Sequence, residues 1–138
     1  KPLAPGSPEN AVSEFLSGWK DKNFGKMAQH AVNVTQKPAK KMAGEIRSTA
    51  DHVELINYEI LSIHRTTVAR CDVRLWARAK TLMNEVDGEF SLVVFRFTAE
   101  GNVAMPSEDG KWCIQQNFMY KIMQEKFADT ANNPSTKG

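Results

Sequence analysis

The chain has 138 residues, of which 41% are hydrophobic and 25% are charged, and its formal net charge at pH 7 is +2. This length supports one domain, since domains most often contain roughly 100–150 residues. The composition excludes a wholly disordered or collagen-like chain, and no apolar stretch approaches the roughly 18 residues that a membrane span requires. The 18 basic residues nearly balance the 16 acidic ones, so we expect no nucleic-acid partner.

Both ends of the chain are rich in polar residues, proline and glycine. Residues 1–7 (KPLAPGS) predict a flexible tether, and residues 129–138 (DTANNPSTKG) predict a disordered tail. A single folded domain is therefore predicted over residues 8–128.

The first third of this domain has the periodicity of helices. Ser7 can cap a helix that begins at Pro8, where a missing N–H costs nothing. The apolar stripe of that helix consists of Val12, Phe15, Leu16 and Trp19. A second, shorter helix is predicted from Phe24, and a third after Pro38.

From Val53 onwards the hydrophobic period changes to two, which is typical of strands. Four strands are predicted, over residues 53–64, 68–82, 90–98 and 111–122, and the mixed signals of residues 118–127 leave open a helix-like tail beyond the last strand. The third is apolar on both faces, so we expect it to be central and covered on two sides. Asp87-Gly88 predicts the hairpin turn before it. Helices that precede a meandering antiparallel sheet make an α+β fold.

The second predicted strand separates two kinds of side chain. One set is small and apolar and consists of Ala69, Cys71, Val73, Leu75, Ala77 and Ala79. The other is mainly charged and consists of Arg70, Asp72, Arg74, Trp76, Arg78 and Lys80. We expect the first set beneath the helices and the second away from them, because alternate residues of a strand face opposite sides.

The basic row on this strand, Arg70, Arg74, Arg78 and Lys80, has several interpretations. A solvated face is the simplest, because carboxylates on the next strand (Glu85, Asp87 and Glu89) can pair with it across the ladder. The row could also be an anion site. Nucleic acid is the sharper alternative, because its binders interleave basic residues with aromatic ones, but the balanced net charge argues against it. A homodimer face is also consistent with the row, since Arg and Trp are favoured at interfaces. The predicted interface residues are Arg74, Trp76 and Arg78.

The two cysteines, Cys71 and Cys113, fall on the second and fourth predicted strands. Strands that are one strand apart lie about 9–10 Å from each other, beyond the limit of about 7 Å between the Cα atoms of a disulfide. We therefore expect two buried free thiols. No spacing of cysteines and histidines is typical of zinc, so neither a metal nor a cofactor is predicted.

The order of elements, with Asp109-Gly-Lys-Trp-Cys-Ile114 opening the last strand, resembles the nuclear transport factor 2-like superfamily. This cone-shaped fold is shared with ketosteroid isomerase and polyketide cyclases, and the resemblance covers about residues 9–122. It implies N-terminal helices packed on a strongly curved antiparallel sheet of four or slightly more strands, with an apolar cavity between the two layers. It also implies dimers through the exposed sheet face. The tether is similar to that of secreted or lipid-anchored bacterial members, which predicts an extracytoplasmic location.

Ketosteroid isomerase relatives use a carboxylate base and an oxyanion hole. Here the first helix has Phe15 and Trp19 where a hydroxyl donor would be needed, and the inward set of the second strand contains no acid. We therefore predict no catalytic residue. The candidates for lining a ligand cavity are Phe15, Trp19, Asp51, His52, Cys71 and Trp112.

Three functional hypotheses follow. The first is a non-catalytic binding or assembly module, a homodimer with an internal cavity for a small apolar ligand or a peptide. The second is an isomerase- or cyclase-like enzyme that uses Asp51 and His52. In an unbroken strand His52 and His64 would share a face, and one of them would line the cavity mouth. The third is a cell-envelope accessory domain similar to those beside transpeptidases.

Overall fold

The computed structural model describes residues 6–33, 37–115 and 118–122. Within them, helices α1 (Pro8–Lys20), α2 (Phe24–Ala28) and α3 (Ala39–Ala50) precede strands β1 (Val53–Thr67), β2 (Arg70–Thr81), β3 (Glu85–Phe97) and β4 (Lys111–Ile114). The strands form one antiparallel sheet in the order β1-β2-β3-β4. The predicted α+β arrangement is confirmed. Residues 1–5 of the predicted tether and the predicted tail lie outside the described residues.

Helix α1 forms where its capping residues and apolar stripe predict it. The Ser7 hydroxyl accepts a hydrogen bond from the Asn10 amide at 3.1 Å, and Pro8 begins the helix. All four residues of the predicted stripe are buried in the core. At the end of the helix the indole N–H of Trp19 donates to the Val53 carbonyl at 3.1 Å, which fixes α1 to the start of β1. In the described part of the chain no helix is long and apolar enough to cross a membrane.

Strand β2 sorts its side chains as predicted. The small apolar set is buried, with Leu75, Ala77 and Ala79 wholly inaccessible. The members of the other set are exposed or half-buried. The apolar set therefore forms the floor on which the helices pack.

Strand β1 pairs with β2, and the register of this pairing shifts at three places: between Leu55 and Asn57, between Ile60 and Ser62, and between Arg65 and Thr67. Such bulges bend a strand and increase its twist, so they curve the sheet around α1. They also break the regular alternation of β1. His52 and His64 were expected to share a face only in an unbroken strand, and β1 is not unbroken. His52 lies in the turn before the strand.

The turn between β2 and β3 lies at residues 82–84, and the prediction from Asp87-Gly88 was wrong. Asp87 and Gly88 lie inside β3, opposite Arg78 and Ala77. Thr81 closes the true turn, because its amide and its hydroxyl both donate to the Asn84 carbonyl, at 2.8 and 3.0 Å. The turn is therefore closed by the Thr81 side-chain hydroxyl and not by the Asp-Gly pair.

The last strand is shorter than predicted. It ends at Ile114, and residues 118–122 are helical. Phe118, Met119 and Ile122 are buried while Tyr120 and Lys121 are exposed, a helical spacing that overrides the β-propensity of these residues. On the other side of β4, Ile114 forms an isolated parallel bridge with Ala31, so the sheet of the described residues has four strands.

Strand β3 is central but is covered fully on only one face. Phe90, Leu92 and Val94 are buried, whereas Val93 and Phe95 on the outer face are half-buried. The prediction of a strand covered on both sides was therefore wrong for the outer face. Because β3 separates β2 from β4, the two cysteines stay apart, and both are buried free thiols as expected. Burial raises the pKa of each thiol.

Candidate functional site

An open groove of about 410 Å³ lies at the end of the sheet where β1 begins and β2 ends. All three helices and both of these strands contribute side chains to it. Its apolar wall consists of Trp19, Phe24, Ala50 and Leu82, and its polar lining consists of Lys22, Arg47, Asp51, Glu54, Lys80 and Thr81. The volume falls in the range of about 300–1,000 Å³ that is typical of small-molecule sites.

One edge of the groove is formed by Lys22, whose backbone has a conformation that few residues other than glycine adopt. Lys22 follows α1 with φ of 61°, in the left-handed region where glycine is favoured. Hydrogen bonds from the Lys22 amide to the Trp19 carbonyl and from the Asn23 amide to the Gly18 carbonyl hold it there. This conformation brings the Lys22 ammonium to within 3.3 Å of the Glu54 carboxylate, where the two charges neutralise each other.

The other charges of the groove are not neutralised in this way. In the part of the chain that the structure describes, Arg47, Asp51 and Lys80 take part in no ion pair. The Arg47 guanidinium lies over the Phe24 ring, 5.9 Å from its centroid, so its flat face is supported and its N–H groups remain exposed. The groove therefore offers two cationic groups and one carboxylate beside an apolar wall.

The six predicted cavity residues fall in different places. Trp19 and Asp51 line the groove. Phe15 is enclosed in the core, and His52 is exposed and donates from Nδ1 to the Ser48 carbonyl at 3.1 Å. Cys71 and Trp112 are both buried in the core cluster, and the Arg65 guanidinium lies over the Trp112 ring.

Comparisons with known proteins find matches in structure only. No protein-family profile and no curated protein sequence matches this chain. A SEC-C-motif-containing protein of Psychrobacter arcticus superposes with a TM-score of 0.53 at 10% identity over 83% of this chain. A proposed isomerase of Bacillus subtilis superposes with a TM-score of 0.50 at 10% identity, over 88% of this chain and 92% of its own length.

A nuclear transport factor 2-like protein of unknown function from Shewanella oneidensis is also similar, with a TM-score of 0.46 and 11% identity over 78% of this chain and 90% of that protein. The helices precede a curved, meandering sheet in the order that the resemblance implied. The chain has the nuclear transport factor 2-like fold. It spans 62% of the length of the Psychrobacter protein, and identities this low show the fold alone.

The outer face of this nuclear transport factor 2-like sheet has ion pairs between β2 and β3. Arg74 pairs with Glu89, and Arg78 Nε donates to Glu85 at 2.8 Å, so two of the three predicted carboxylates pair across the ladder. Trp76 lies half-buried between these pairs.

Farther along β2, the Thr66 hydroxyl and the Arg70 guanidinium both donate to Asp72, at 2.7 and 3.0 Å. These hydrogen bonds lower the pKa of Asp72. The basic row is therefore mostly paired with acids of its own sheet, and Lys80 is its member that lines the groove. No three His, Cys, Asp or Glu side chains of the described residues are grouped as a metal site requires.

His30 is a structurally significant residue that the sequence did not reveal. It follows α2, and its side chain is only 13% exposed. Its Nε2 lies 3.6 Å from Glu14 Oε1. Burial and the nearby Lys111 ammonium lower the pKa of His30, against the opposing effect of Glu14.

This shift predicts that stability depends on pH. Because the folded pKa of His30 lies below its unfolded value of 6.5, the stabilisation is complete above pH 6.5 and is lost as the pH falls through the folded value. Thermal unfolding of His30→Gln should therefore show a smaller loss of stability between pH 7.5 and pH 5 than the unsubstituted protein. His64→Gln, which replaces an exposed histidine, should keep the original profile. An unchanged profile in His30→Gln would exclude this role.

Proposed function

We propose that this protein is a non-catalytic binding and assembly module, in which the groove holds a small ligand and the outer sheet face forms a homodimer. The observation that carries the proposal is the presence of uncompensated charges beside an apolar wall in the groove. A site of this composition has an apolar surface for affinity and a few polar groups for orientation.

The apolar part of the site is formed by groups of different rigidity. Trp19 is fixed by its hydrogen bond to the Val53 carbonyl, so the inner wall is held in position before any ligand arrives. Leu82 lies on the β2–β3 turn with 74% of its surface exposed. A ligand that covers Leu82 would remove this apolar surface from water, which favours binding.

The assembly part of the proposal rests on the outer face. Arg74 and Arg78 alternate with the carboxylates Glu85 and Glu89 around Trp76. In a two-fold dimer the same patch meets itself, so each arginine can approach a carboxylate of the second copy. Trp and Arg are also the residue types enriched among the hot spots at interface centres. This face and the groove use different side chains of β2, so both can be occupied at once.

Binding in the groove is tested with indole, a neutral apolar probe. We expect saturable chemical-shift changes at the amides of Ala50 and Leu82 in a protein-observed NMR titration. Leu82→Ser should weaken binding roughly threefold or more, because it removes apolar surface from the wall. The neighbouring Met83, which does not line the groove, provides the matched control Met83→Ser. Shifts that lie elsewhere, or equal effects of both variants, would contradict binding in the groove.

The dimer is tested by the molar mass of Trp76→Glu in solution. The unsubstituted protein should have twice the chain mass, and the variant should have the mass of one chain, because a new carboxylate would be desolvated beside Glu89. Met83→Glu, at an exposed position outside the face, should remain a dimer. If Trp76→Glu keeps the mass of a dimer, this face is not the interface, and circular dichroism shows whether the variant is folded.

A further inference from the structure

The uncompensated charges of the groove have opposite signs, and their positions indicate a class of ligand. Asp51 is the C-cap residue of α3. The carbonyl groups at the C-terminus of a helix give it a partial negative charge, so a carboxylate there is unfavourable unless a cation lies nearby. No ion pair compensates it among the residues that the structure describes. Asp51 is thus an exposed carboxylate that is open to the groove.

One cationic group lies one turn before Asp51 on α3, and the other lies on β2. Arg47 is in the last turn of α3, and Lys80 is near the end of β2. The Arg47 guanidinium is supported on one face by Phe24, which leaves its edge for a planar, bidentate acceptor such as a carboxylate. The third cation of the groove, Lys22, is already paired with Glu54.

We propose that the groove binds a small zwitterion with the pattern of an α-amino acid whose side chain is apolar. The ligand ammonium pairs with Asp51, the ligand carboxylate pairs with Arg47 and Lys80, and the apolar side chain lies against Trp19 and Leu82. This proposal rests on the groove being the binding site of the proposed function.

The charge pattern disfavours ligands with only one kind of charge. A simple carboxylate would meet Arg47 and Lys80 but would leave Asp51 without a cation and would be repelled by it. A simple amine would meet Asp51 but would be repelled by the two cationic side chains. A zwitterion satisfies both signs, so differences in affinity come from attraction and repulsion together.

The test uses three probes that share a phenyl ring: L-phenylalanine, phenethylamine, which lacks the carboxylate, and 3-phenylpropionate, which lacks the ammonium. Dissociation constants are measured by NMR titration at neutral pH. We expect L-phenylalanine to bind about tenfold more tightly than either analogue, since each lacks one charge-assisted contact.

Variants assign the two contacts. Asp51→Asn should weaken binding of L-phenylalanine and phenethylamine about tenfold and leave 3-phenylpropionate unweakened. Lys80→Gln should weaken binding of the two probes that have a carboxylate, L-phenylalanine and 3-phenylpropionate, and leave phenethylamine unweakened. Asp87→Asn, an exposed carboxylate on the outer face of β3, is the matched control and should change none of the three constants.

Three results would overturn the inference. If 3-phenylpropionate binds as tightly as L-phenylalanine, or if Asp51→Asn leaves L-phenylalanine unaffected, the groove recognises anions alone. If none of the three probes binds, zwitterion recognition is also rejected. The indole titration separates these failures from failure of the proposed function, because an indole complex that depends on Leu82 keeps the groove as a binding site whatever its charge preference.

Discussion

The alternation of side chains along β2 is the constraint on which the core, the outer face and the groove all depend. Ala77 and Ala79 face inward and belong to the same buried cluster as Trp19 on α1. Their small size leaves room for large side chains on the helices, and protein cores are packed closely enough that such volumes must match. The outward residues of the same strand then necessarily fall on the opposite surface.

The two faces contribute differently to stability. Burial of the large apolar side chains, among them Phe15, Leu16 and Trp19, stabilises the fold, at roughly 1.5–3 kcal/mol for each fully buried side chain of this size. The exposed ion pairs on the outer face stabilise it by only about 0–1 kcal/mol each. The charges of β2 therefore matter less for holding the sheet together than for what the outer face and the groove can contact. Lys80 is an example, because it belongs to the exposed set of β2 and also lines the groove.

Local patterns in the sequence predicted the helices and the two faces of β2, because each depends on the period of a single element. The separation of Cys71 from Cys113 was predicted from the order of the strands in a meander. The turn after β2 was missed because Thr81 closes it with its side chain, a contact that residue preferences do not reveal. The end of β4 was missed because residues 118–122 contain good strand formers in a helical spacing.

The site was less predictable because it is assembled from several elements. Trp19 and Asp51 were among the candidates. Arg47 lies one helical turn before Asp51, but Lys80 joins them only through the packing of α3 against the end of the sheet. Asp51 and His52 are adjacent in sequence and were proposed together. They differ in the structure because Asp51 ends α3 and lines the groove, whereas His52 is held by the Ser48 carbonyl in the turn before β1.

The most direct test of the central claim compares two neighbouring positions on β2 by urea denaturation. Ala77 is wholly buried and Arg78 is exposed. Ala77→Arg should lower the free energy of unfolding by at least about 3 kcal/mol or prevent folding, because it buries an unpaired charge. Arg78→Ala should change it by no more than about 1 kcal/mol. Comparable losses for the two variants, or a stable Ala77→Arg protein, would contradict the separation of faces on which this account depends.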